Sequence, residues 1–166
     1  MKVFFTLLIL LFAQTAFSQT TVNSKKYGEL VFNVLDFGLA KTSRERTEVE
    51  KNSPTGDRGW LKDFEIIEQT DSIKIAQKAN FGVVYRVDAR ETVDIKVVIE
   101  WIYPSKIINE KGEVFKSIKY ATLRPTNTPS ASSYSLDESY EMLKGNWEMN
   151  IYLENKKIYS KTFVLY

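Results

Sequence analysis

Between Val93 and Trp101 the chain alternates almost strictly. Val93, Ile95, Val97, Ile99 and Trp101 are apolar, while Asp94, Lys96 and Glu100 fall between them. Successive side chains of a strand point to opposite faces, so this pattern is a strand with one face against a core and one against water. A helix would bring Val93, Val97 and Glu100 together, which is no apolar stripe. The same alternation recurs in Phe81–Val87 and in Trp147–Leu153. Asn155-Lys156 then forms a turn and Ile158–Leu165 returns, which reads as a β-hairpin. Leu30–Leu39 is dense in branched and aromatic residues, with Gly38 at a bulge or strand end. The charged run 41–59 contains the turn Ser53-Pro54-Thr55-Gly56, and its alternating Thr42, Arg44, Arg46, Glu48 and Glu50 allow a strand in part of it. Trp60–Thr70 and Glu113–Thr122 complete the strand pattern, and Asn109–Gly112 is a turn. Residues 124–135, rich in Pro, Ser and Thr, read as a surface connection. With no long amphipathic helix, the expected fold is all-β, an antiparallel immunoglobulin-like β-sandwich of about seven strands.

The N-terminus makes a separate statement. Lys2 is followed by an almost unbroken apolar run from Val3 to Ala13, and Ala16-Phe17-Ser18 places small residues before Gln19. Charge, apolar stretch and small-x-small site together define a secretory signal peptide. The run is too short to span a bilayer, which takes about 20 residues. The expected organisation is a signal peptide at 1–18, a flexible leader at 19–28 and one domain at 29–166. The expected location is the periplasm or the extracellular medium.

Absences narrow the chemistry. The chain has no Cys and no His. A Ser-His-Asp triad, a Cys-His pair and a His-ligated zinc are therefore impossible, and stability rests on core burial rather than disulfides. The formal net charge is +2, with both signs interspersed. A nucleic-acid binder would show a basic stripe, so no nucleic-acid partner is expected. No cofactor is expected either.

The ordered series Glu68-Gln69-Thr70, Phe81-Gly82-Val83-x-Tyr85-Arg86, Tyr134-Ser135-Leu136-Asp137-Glu138, Gly145-Asn146-Trp147-Glu148 and Lys157-Ile158-Tyr159-x-Lys161-x-Phe163-x-Leu165 resembles an exported bacterial family known as domain of unknown function 3859. The resemblance covers roughly residues 30–166. It implies a β-sandwich and an envelope location, and it brings no activity, cofactor or catalytic residue.

The candidates for chemistry each have a plainer reading. Asp137, Glu138 and Glu141 offer oxygen ligands to a divalent cation, but their spacing is no calcium loop, and solvated loop acids are the simpler account. Glu65, Glu68 and Glu100 supply carboxylates for a glycosidase pair, whose separation a sequence does not fix. Ser72 and Lys74 share a strand face, but an exposed lysine stays protonated and is a poor base. No catalytic or metal-binding residue is assigned. Trp101 and Trp147 continue apolar faces and are expected in the core. Tyr152, Tyr159 and Trp60 are the candidate binding surface, since aromatics serve as platforms for sugars and partners. The expected function is a non-enzymatic binding or accessory module of the cell envelope, its partner an envelope protein or glycan. A carboxylate- or metal-dependent hydrolase of an envelope glycan and a small outer-membrane β-barrel are the alternatives.

Overall fold

The computed structural model describes residues 19–166, so the expected signal peptide at 1–18 lies outside the described residues. In chain order the strands are β1 (Gln19–Ser24), β2 (Gly28–Val49), β3 (Asp57–Glu68), β4 (Ser72–Ile73), β5 (Asn80–Asp88), β6 (Asp94–Ile108), β7 (Val114–Pro125), β8 (Ser130–Ser135), β9 (Gly145–Leu153) and β10 (Lys156–Leu165), with one 3-10 turn at Ser139–Glu141. One sheet runs β1-β2-β5-β8, with β3 also on β2; the other runs β4-β10-β9-β6-β7. Every pair is antiparallel except β4 with β10.

Two sheets packed face to face make the expected sandwich, with ten strands where the pattern gave about seven. Residues 19–28 correct the expectation of a flexible leader. Gln19–Ser24 pairs with β2, because Val22 and Ser24 alternate inward and are buried beside Leu30. The barrel alternative is corrected too. It needs one closed sheet, whereas these strands form two sheets over a filled interior.

That interior is aromatic. Phe81 on β5 meets Phe163 of β10 at 5.2 Å and Trp101 of β6 at 5.5 Å between ring centroids. It meets Trp147 of β9 edge-on at 5.9 Å. Trp101 and Trp147 are fully buried, as their alternation implied. Edge-to-face geometry sets the positive ring edge against a negative ring face, which adds to the burial itself.

Two glycines fix the backbone around this core. Gly38 has φ of 146°, and a Cβ there would lie 2.0 Å from the carbonyl oxygen of Glu68. Gly82 lies opposite Ser133, where a Cβ would meet the Ser132 carbonyl oxygen at 2.3 Å. β8 can approach β5 this closely only because Gly82 has no side chain.

Phe81→Ala is expected to cost about 3–5 kcal/mol, by lost burial and the cavity left behind. Gly82→Ala is expected to cost about 1–3 kcal/mol by pushing β8 away. Urea denaturation followed by tryptophan fluorescence measures both. A Gly82→Ala midpoint equal to that of the parent protein excludes the close approach as a constraint.

Candidate functional site: a polar cavity beneath a bent arm

Past Ala40, the last β2 residue paired with β5, strand β2 continues with β3 alone. The result is a two-stranded arm over Lys41–Val49 and Asp57–Glu65. Its ladder shifts register at Ser43–Arg44 and again at Arg44–Arg46. Such bulges bend a ribbon and increase its twist, and the arm folds across the side of the sandwich where β7 and β8 are the edge strands. A lone ribbon is marginal in water, so its docking contacts matter. Arg58 donates to the carbonyl of Ala121 on β7 at 3.3 Å and pairs with Glu48 across the arm. Arg44 pairs with Asp137, and Asn80 donates to Thr42 at 3.1 Å. At the tip, the carbonyl of Pro54 accepts from Asn109 at 3.2 Å and from Tyr140 at 3.4 Å.

These ties are nearly all polar, and they surround a cavity of about 110 Å³ between the arm, β7 and β8. Its floor follows from local sequence. The inward positions of β7 run Ile118, Tyr120, Thr122, Arg124, so the face turns from apolar to cationic toward its end. On β8 the inward positions include Ser132, too small to fill the space. Among the described residues, eight buried side-chain polar atoms have no hydrogen-bond partner, and six belong to residues lining this cavity: Trp60 Nε1, Asn80 Oδ1, Trp101 Nε1, Thr122 Oγ1, Arg124 Nε and Ser132 Oγ. Native interiors leave few such atoms, and each calls for a physical account.

The fields of these groups are legible in their neighbours. Burial raises the pKa of the enclosed Tyr85 phenol, opposed by the charge of Arg124 and by Ser132 close by. Burial likewise pushes Tyr120 up to about 12. The Glu48 carboxyl is held below its ordinary value first by the Trp60 indole N–H, turned toward it short of hydrogen-bond geometry, and then by Arg58. The Trp60 ring itself is ringed by guanidiniums, Arg46 at 4.9 Å, Arg58 at 5.2 Å and Arg124 at 5.9 Å from its centroid.

The three candidate aromatics are not brought together. Trp60 lines the cavity. Tyr152 lies on the outer face of β9, its hydroxyl donating to Glu100 and its ring beneath the Lys119 ammonium at 4.0 Å. Tyr159 turns inward at a register shift of β10, half-buried, 5.6 Å from Phe32. The carboxylates also have local tasks. Asp137 takes Arg44 and Ser135. Glu141 is buried and accepts from the Tyr134 hydroxyl at 2.7 Å and from the N–H groups of Asp137 and Glu138. Burial raises its pKa, against the pull of the Tyr134 hydrogen bond. Among the described residues, no group of three acids converges on a metal-sized site. Glu65 and Glu68 lie on β3, whereas Glu100 lies on the outer face of the opposite sheet. The residues that pattern reasoning missed are Arg58, Asn80, Thr122, Arg124 and Ser132. Their one signal was small or polar residues at inward strand positions.

The fold defines an immunoglobulin-like β-sandwich. It is similar to a solved immunoglobulin-like protein from Pseudomonas aeruginosa, at 16% identity and a TM-score of 0.58, with 79% of this chain and 90% of that one covered. A family model described as Domain of unknown function (DUF3859) matches residues 29–165, and the chain belongs to that family. An alkylpurine DNA glycosylase from Pseudomonas fluorescens, solved bound to DNA containing an abasic site analog, aligns at 13% identity and a TM-score of 0.36, over 57% of this chain and 27% of that one. No curated protein matches the sequence.

An alkaline titration tests the tyrosine environments. Tyr120 and Tyr159 are raised to about 12 by burial, and Tyr152 to about 12 chiefly by its bond to Glu100. A raised folded-state pKa stabilises the protein fully below the ordinary value of 10.0 and loses that stability as pH climbs through about 12. The urea midpoint should fall between those values, with phenolate absorbance developing alongside unfolding. Phenolate absorbance complete near pH 10 with native circular dichroism contradicts this assignment.

Proposed function

We propose that this protein is an exported, non-enzymatic binding module whose ligand sits in the cavity beneath the β2–β3 arm. The observation that carries the reading is the set of unpartnered buried polar atoms concentrated in one cavity. Polar groups removed from water need a hydrogen-bonding occupant. The space holds on the order of four waters or one small polar molecule. A covering arm fastened by ion pairs and single hydrogen bonds, rather than by apolar packing, suits an element that yields for a ligand and recloses. Export is supported by the charged, apolar and small-residue pattern of residues 1–18.

A thermal-shift screen of small polar compounds tests the site, run on the parent protein and on Ser132→Leu, whose longer side chain occupies the cavity. A compound present at about 100 times its dissociation constant adds about 2.7 kcal/mol of stability, a rise of about 5–11 °C for a domain of this size. The rise should vanish in Ser132→Leu. Compounds that stabilise both forms equally, or none that stabilises the parent, count against the cavity.

A further inference from the structure

We infer that the cavity is an oxyanion site, with Arg124 as its anchoring cation, and that its ligand is a small carboxylate or phosphate; this rests on the cavity reading above. Each charged side chain around the cavity has a polar partner, and of the three guanidiniums only Arg124 lacks a carboxylate among the described residues. Arg44 is paired with Asp137 and Arg58 with Glu48. Among the acids of the lining, Asp137 is taken by Arg44, and Glu141 by Tyr134 and two backbone N–H groups. Asp57 lies toward the tip, accepting from Thr55 at 2.8 Å. The Arg124 Nη2 donates at 3.5 Å to the carbonyl of Ala131, and its Nε is buried without an acceptor. A half-buried guanidinium whose Nε is shut off from water without an acceptor is costly, and its planar fork matches the two oxygens of a carboxylate or phosphate.

The other unpartnered atoms agree. Trp101 Nε1 can only donate, like Arg124 Nε, and so can Trp60 Nε1, which is turned toward Glu48 short of a hydrogen bond. Thr122 and Ser132 hydroxyls, 7% and 3% exposed, can donate as well. Asn80 Oδ1 is the one obligate acceptor among the six. A cavity with a surplus of donors, one of them a guanidinium without a carboxylate partner, favours an acceptor-rich occupant such as a carboxylate or phosphate over a polyol, which needs acceptors for its own hydroxyl protons.

The test uses protein labelled at the tryptophan indole nitrogens, titrated at constant ionic strength with sodium acetate, with inorganic phosphate and with glycerol. Acetate or phosphate should move the Trp60 indole resonance saturably. Arg124→Gln should weaken that binding by about 10- to 100-fold, the loss of one charge-assisted contact. Should Arg124→Gln fail to fold, the double variant Thr122→Val with Ser132→Ala removes two donors at little change in volume and should also weaken anion binding. Anion binding that these variants leave intact lies on the surface and overturns the inference. So does a Trp60 resonance moved by glycerol and by neither anion, although the cavity reading then survives. A Trp60 resonance that none of the three moves overturns the inference as well, and the Ser132→Leu comparison then decides separately whether the cavity binds anything.

Discussion

The Phe81 ring touches both sheets, and the remainder of the structure is arranged around that contact. It projects from β5 into a cage of Trp101, Trp147, Tyr134 and Phe163 drawn from four other strands. Without disulfides, this cage is what holds one sheet to the other. Its neighbour Gly82 lets β8 lie close, and β8 brings both Tyr134 into the cage and Ser132 to the cavity. A single dipeptide therefore sets the core and, through β8, positions a wall of the candidate site on the same face of the sheet.

The chemistry changes along β7 and β8 because burial runs out there. At the centre of the sandwich, inward residues face another sheet. At the edge they face the arm, which brings Arg44, Arg58 and Trp60 beside a single aliphatic residue, Leu61. Burying polar groups costs free energy unless they are bonded, so this edge is less stable than an apolar one of the same size. Sites of that kind are where sequences depart from the best packing for the sake of binding.

The sandwich was legible in the sequence because alternation reports burial directly. Val93–Trp101 and Trp147–Leu153 each have one face against the core, and both are strands as read. The family was legible from an ordered set of residues that includes Phe81, Tyr134, Trp147 and Phe163 of the cage. The site was not. Trp60 was singled out as an aromatic, but its three guanidinium neighbours come from β2, β3 and β7. Nothing local marks residues that meet across such distances. Ser130–Ser135 read as a connection because serine is common in loops, whereas here its small size admits a cavity. Gln19–Ser24 read as a leader because one buried valine is a faint signal.

The arm has a second consequence, for how copies of this protein meet one another. Edge strands carry unpaired N–H and C=O groups that invite pairing with another chain. Here one edge of each sheet, β7 and β8, lies beside one bent ribbon, and Arg58 occupies a carbonyl of β7. The ribbon thus stands across the approach of a second chain to those two edges. Shortening it would bare one pairing edge on each sheet at once.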